Sequence, residues 1–200
     1  MAPQNRNLRV FHSKVEEETM NAAEGNQDAN SIEGAMVAFI QKIGAENPEK
    51  IFHTRIERAL SRESCSELVV LGEEVFLSKS SSEELEKKIE LQKVVYCGVK
   101  RGTIKDGIFI PGPNFLNDIV PFLDELNYVI VNERAEWLFL CGRDVFKEGI
   151  VRKSLSRGNA LVLNERMECL GYGKIETNGS QVIKNIFDLG DFLRRERKRK

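Results

Sequence analysis

The sequence predicts an α+β chain, in which a sandwich-like N-terminal domain of mixed helices and strands precedes a β-dominated C-terminal part that forms a small barrel or sandwich. Three observations carry that reading. At 200 residues the chain can bury two cores, and 41% hydrophobic with 30% charged residues is an ordinary globular composition. The apolar pattern is helical at first, alternates from residue 67, and after residue 132 becomes a series of short runs separated by Gly, Asn, Ser and Arg. Charge divides the same way: residues 134–200 hold fifteen Lys and Arg against nine Asp and Glu, a net of +6, while the residues before them carry −7. An acidic part joined to a basic part fits a nucleic-acid-binding module attached to a unit that need not touch nucleic acid.

Residues 1–30 are polar, without a sustained period, and are expected to form a disordered extension. The N-terminal domain is expected over residues 31–132. Ile32, Met36, Phe39, Ile40 and Ile43 fall on one helical face that Gly44 can end, and Asn47-Pro48 signals a second helix with Ile51, Ile56 and Leu60 as its stripe. "ELVVLGEEVFLSKS" reads as two strands around Gly72, and "SSSEELEKKIE" carries the Ser-x-x-Glu signature of a capping box. "VVYCGVKRGTI" and "GIFIPG" form a strand pair, Pro111 and Pro113 break it, "NFLNDIVPFL" is a short helix capped by Asn114, and "YVIVN" closes the domain as a buried strand. Within residues 133–200, "WLFL", "NALVLNE", "CLGYGKIE" and "VIKNIF" read as strands, with Trp137 assigned to packing between the two domains.

Several function classes are disfavoured at this level. No apolar run reaches the roughly 18 residues of a membrane span, and the first residues lack a signal-peptide core, so the expectation is a cytosolic or nuclear protein with no membrane partner. Cys65, Cys97, Cys141 and Cys169 stand singly in apolar contexts, with only His12 and His53 as further ligands; buried free thiols and no metal are expected. "GYGKIE" lacks the third glycine of a dinucleotide fingerprint, and there is no GxxxxGK[ST], HExxH or paired CxxC. The expectation is a protein that is not an enzyme and needs no cofactor.

The order "FLCGRDVFKEGIV", "NALVLNE", "ECLGYGKIE", "KNIFDLGDFLRRE" resembles a PUA domain, a small RNA-binding β-barrel. Its most specific pieces are Leu140, Gly142, Val145, Gly149 and Ile150, and the closing Asn185, Ile186, Leu189, Gly190 and Asp191. With "VVLGEEVFLSKS", "VYCGVKRG" and "YVIVNERAEW" ahead of it, the order over residues 31–197 is similar to that of the Nip-seven family, PUA proteins needed for biogenesis of the large ribosomal subunit. The resemblance implies a non-catalytic RNA-binding factor, monomeric alone, binding large-subunit ribosomal RNA or its precursor, U- or AU-rich as for archaeal relatives. It implies assembly-factor partners on the N-terminal domain, and a cytoplasmic location in an archaeal host or a nucleolar one in a eukaryote. Two other classes stay open: an RNA-modification enzyme or its accessory subunit, and a translation-associated PUA protein that binds transfer RNA or the small subunit.

The same resemblance implies an RNA site at residues 142–147 and 149–153, with Gly149 admitting phosphate to a main chain of positive φ and Arg143, Lys147, Arg152 and Lys153 supplying contacts. The alternative is that Gly149 completes a helix C-cap and the charges are a solvated face. In the tail "FLRRERKRK", six of the last seven residues are Lys or Arg, and Arg194, Arg195, Arg197 and Lys198 match the family's basic cluster. Tyr172, Phe187 and Phe192 are stacking candidates, weighed against a core role.

Overall fold

Helix α1 (Ile32–Lys42) carries Ile32, Met36, Phe39 and Ile40 as one buried stripe, and α2 starts at Pro48 and runs to Ser61, as the Asn-Pro cap predicts. The computed structural model describes residues 8–11, 32–61, 67–78, 84, 85, 87, 97–155, 157–178, 180–190 and 194. Within it the chain divides into two units, one made of Met1–Ala38 and Phe52–Phe115, the other of Phe39–Ile51 and Leu116–Lys200.

The first unit is built on an antiparallel sheet of sequential order: β1 (Leu8–Phe11), β2 (Glu67–Leu71), β3 (Glu74–Ser78), β4 (Val99–Lys105) and β5 (Ile108–Pro111). The hairpins fall where alternation and turn residues put them. Asp106 and Gly107 both take positive φ between β4 and β5, the geometry that suits the right-handed twist of a two-residue hairpin. Val69, Leu71, Phe76, Leu85 and Cys97 form its buried core. β1 corrects the expectation for residues 1–30, because Leu8–Phe11 pairs with β2 in register Leu8↔Leu71; the rest of that stretch lies outside the described residues. Four residues are too few to show a period. The third expected helix also lies largely outside them, with Glu84, Leu85 and Lys87 helical. Asn114 is not a cap: it sits inside α3 (Pro113–Ile119), and its Nδ2 donates to Lys100 O at 3.0 Å.

The second unit holds a six-stranded sheet in the order β7-β11-β10-β9-β6-β8. Its strands are β6 (Tyr128–Val131), β7 (Val145–Phe146), β8 (Ile150–Lys153), β9 (Gly158–Leu163), β10 (Cys169–Asn178) and β11 (Ser180–Asp188). The edge strands β7 and β8 are consecutive in the chain and joined by a single 3₁₀ turn, Lys147–Gly149, so the sheet curls into a nearly closed barrel. Val129, Val131, Ala135, Phe139, Val145, Ala160, Val162, Leu170, Ile175 and Ile183 fill it.

Three sequence expectations are overturned here. "YVIVN" does not close the N-terminal part: β6 is an interior strand of the barrel, parallel to β9 and antiparallel to β8. An apolar four-residue run fixes that a strand is buried, not which sheet accepts it. "WLFL" is helical, within α4 (Glu133–Leu140). Asn132 Oδ1 accepts from the Ala135 N–H at 3.0 Å, Glu133 and Glu136 complement the positive helix start, and Ala135 and Phe139 bury one face. Trp137, expected to pack between domains, is instead 68% exposed on that helix.

Cys97 and Cys169 are buried as expected, and burial pushes the Cys169 thiol up to about 11. Cys141 departs from the expectation, being exposed at the end of α4; Cys65 lies outside the described residues. No described helix is long and apolar enough to cross a membrane, and no group of three His, Cys, Asp or Glu among the described residues gathers as for a metal.

Candidate nucleic-acid interface

The segment from α4 to β8 is shaped by how α4 ends. Gly142 takes φ +80°, its N–H bonds to Phe139 O at 2.9 Å, and the Arg143 N–H bonds to Leu138 O at 3.0 Å. This is a Schellman stop: it satisfies two terminal carbonyls and turns the chain sharply, leaving Arg143 exposed at the corner. The helix cap in this region therefore belongs to Gly142, not Gly149. Asp144 then anchors the turn to β11, accepting from Lys184 Nζ at 2.6 Å and from the Asn185 N–H at 3.0 Å, while Asn185 Nδ2 donates to Phe139 O at 2.8 Å.

The Asp144 carboxyl loses solvation in this turn, which alone raises its pKa; hydrogen bonds from Lys184 and the Asn185 N–H and the charge of Lys184 outweigh that and hold it below the usual carboxylate range. A lowered folded-state pKa adds stability that is present above the unfolded value and lost as pH falls through the folded one. Asp144→Asn should thus destabilise by less than about 1 kcal/mol at neutral pH, the pair being partly solvent-screened. Urea titrations should show the gap to wild type shrinking as the pH is lowered from about 5 to about 2.

Beyond Asp144 the strand alternation sorts the side chains. Val145 is buried and Phe146 is 60% exposed; Lys147 and Glu148 face solvent on the 3₁₀ turn; Val151 and Arg152 are exposed on the edge strand β8. The Arg152 guanidinium carbon stands 5.5 Å from the centroid of the Tyr128 ring, a cation–π contact that holds the side chain along the edge. The exposed residues of this segment thus include Arg143, Phe146, Lys147, Glu148, Val151 and Arg152, with Lys153 half-buried at its end. Among the described residues none of Arg143, Lys147, Arg152 or Lys153 stands in an ion pair, whereas Lys184 is engaged by Asp144 and Lys174 by Glu176 at 3.1 Å.

Gly149 plays a different part from the expected one. Its φ is not positive, and a Cβ there would come 2.6 Å from the Ala135 Cβ and 2.9 Å from Val145 Cγ1. It is bare so that the 3₁₀ turn can seat against α4, where Asn132 Nδ2 donates to Glu148 O at 3.2 Å and the Asn132 N–H to Gly149 O at 3.0 Å.

The tail begins as a clamp. Arg194 Nη1 bonds to Asp188 Oδ1 at 2.7 Å and to Leu140 O at 2.6 Å, and Nη2 to Asp188 Oδ2 at 2.9 Å. The guanidinium of Arg194 is therefore committed to a carboxylate that is only 4% exposed and to the last carbonyl of α4. Arg195, Arg197 and Lys198 lie outside the described residues.

Of the stacking candidates, Tyr172 is buried, edge-on to Phe39 at 5.1 Å and stacked on Phe187 at 5.9 Å, so it belongs to packing; Phe192 lies outside the described residues. Among the described residues, the exposed aromatics are Trp137 and Phe146, which sequence reading missed as site residues. Strand alternation around Val145 was the signal for Phe146.

Residues 127–197 match the family described as the UPF0113 PUA domain. The match begins at Asn127, immediately before β6, in keeping with that strand's place in the barrel. A UPF0113 protein of Archaeoglobus fulgidus is 33% identical over 82 residues, covering 36% of this chain and 47% of that protein. The matched stretch thus spans about half the length of that relative. A PUA domain is an RNA-binding module, and the chain carries one in its basic half.

Proposed function

We propose that this protein is a non-catalytic RNA-binding factor of ribosome biogenesis, of the Nip-seven type, that holds large-subunit ribosomal RNA or its precursor on its C-terminal barrel. The observation that carries the reading is the strip Arg143, Lys147, Arg152, with exposed Phe146 and Val151, on a unit that matches a PUA domain. Cations on a rigid turn and strand edge suit a phosphate backbone, and interleaved apolar side chains suit unpaired bases. In this reading the acidic N-terminal part of the chain, on the five-stranded sheet, is a docking surface for other assembly factors, and the protein works in the cytoplasm of an archaeal host or the nucleolus of a eukaryotic one.

Crosslinking the tagged protein to RNA in cells with ultraviolet light tests the proposal. Reads concentrated in large-subunit RNA, with the crosslinked peptide at residues 143–153, are the expected result. Reads dominated by transfer RNA or small-subunit RNA would replace it with a translation role, and no crosslinked RNA would overturn it. In vitro, changing Arg143, Lys147 and Arg152 together to Ala should weaken binding to a single-stranded oligoribonucleotide about tenfold at moderate salt and lower the salt slope by about 2, since each phosphate contact on a single strand contributes about 0.7.

A further inference from the structure

We propose that Trp137 is a stacking platform on which an unpaired base of the bound RNA lies, while the adjoining phosphates meet Arg134 and Arg143. The proposal rests on the RNA-binding reading and deepens it, because it commits the barrel to single-stranded RNA and brings Trp137 and Arg134 into the site.

The place of the indole on α4 comes first. Ala135 and Phe139 bury the helix against the barrel core, and at about 100° per residue they lie roughly 160–200° around the axis from Trp137. The indole therefore points straight outward. It is 68% exposed, although tryptophan is highly buried on average, and no ring among the described residues packs on it. Neither the core nor a neighbouring ring accounts for a tryptophan here.

The charges around it are sorted by side. Glu133 and Glu136 serve the β9–β10 turn: Glu136 Oε1 accepts from Asn164 Nδ2 at 3.1 Å and meets Arg166 Nη2 at 3.6 Å, and Glu133 lends its charge to the same guanidinium. Arg134, three residues before Trp137, falls on the other flank. The Schellman stop holds the chain on that flank, with the Cys141 N–H on Trp137 O at 3.0 Å and the Arg143 N–H on Leu138 O at 3.0 Å. Arg143 thus sits at the end of the helix, roughly one turn of 5.4 Å past Trp137. Arg134 and Arg143 are exposed, and neither stands in an ion pair among the described residues. The acids beside the indole are engaged and the bases are not, so the surface complements an anion. A flat aromatic between two unengaged guanidinium groups suits a nucleotide, since every base offers a π-face and Arg pairs with phosphate.

Trp137 is the single tryptophan of the chain, so its fluorescence reads the site directly in the unaltered protein. Titration with a short single-stranded oligoribonucleotide of mixed sequence should quench it, and an abasic strand of the same length, which keeps the phosphates and lacks the bases, should not. Trp137→Ala should weaken binding of the oligoribonucleotide about tenfold, the loss typical of one stacked base, with the salt slope unchanged because no charge is removed. Trp137→Phe, which keeps a ring, should stay within about threefold of wild type, and Arg134→Ala should lower the salt slope by about 0.7. On the abasic strand Trp137→Ala should bind as wild type does. RNA binding of ordinary salt dependence that neither quenches the indole nor weakens in Trp137→Ala would overturn the proposal, leave the RNA reading standing and assign the exposed indole to a protein partner. Equal quenching by the abasic strand would overturn it as well, since stacking needs a base. Absence of binding by the wild-type chain would overturn the RNA reading and this proposal with it.

Discussion

Replacing Arg194 by alanine should destabilise the protein by about 3 kcal/mol, since breaking a buried ion pair typically costs about 3–5 kcal/mol by leaving a charge uncompensated. For a chain of this size that corresponds to a fall in Tm of roughly 6–12 °C. The lower end of the range applies because Arg194 is 36% exposed, and water reaches one side of the pair. Asp188 is 4% exposed, so its carboxylate has little water to turn to when both guanidinium bonds are removed, and Leu140 O loses a donor at the same time. Thermal melts of wild type, Arg194→Ala and the double variant with Asp188→Asn check the cause. The double variant should recover part of the loss, because it removes the buried charge. A loss below about 1 kcal/mol would place the pair among ordinary surface salt bridges.

Gly149→Ala should destabilise by about 2 kcal/mol, in the range of overpacked cores, and leave the RNA affinity of the folded protein within about twofold of wild type. The added methyl group meets the Ala135 Cβ and Val145 Cγ1, both on elements fixed by the barrel, so the 3₁₀ turn must shift away from α4. Denaturant titration measures the first expectation and oligoribonucleotide binding the second. If phosphate instead approached the main chain at Gly149, the outcome would invert, with affinity falling and stability nearly unchanged. Ala135→Gly should restore part of the stability of Gly149→Ala, because the clash is with that methyl.

Much of this structure is legible from local sequence. Asn47-Pro48 marked the start of α2, Gly72 marked a hairpin, and the regular strands after residue 158 marked a small β unit. Those features depend on residues within a few positions of each other. What escaped depends on partners far away. "WLFL" satisfies a strand or a helix equally, and the Asn132 cap and the Gly142 stop decide it. β6 reads as a buried strand, but its pairing with β8 and β9 is written in those strands. Within the site, Arg143, Lys147 and Arg152, which the resemblance offered as contacts, are exposed, whereas Arg194 and Gly149 take structural parts. A run of Arg and Lys in sequence looks uniform; a buried carboxylate at Asp188 singles out one member.

The place of β6 also bears on how the barrel is reached during folding. Its parallel partner β9 comes only after α4, β7, the 3₁₀ turn and β8 have been passed, and its other partner β8 lies beyond α4 as well. Each pairing must close a long loop before any ladder bond rewards it, which puts the second unit among the slow, non-local β topologies. The β9–β10 and β10–β11 hairpins can form early from near neighbours, and insertion of β6 between β8 and β9 then completes the core. The amide protons of Val129 and Val131 should accordingly be among the last in the chain to exchange with solvent, released only by global unfolding.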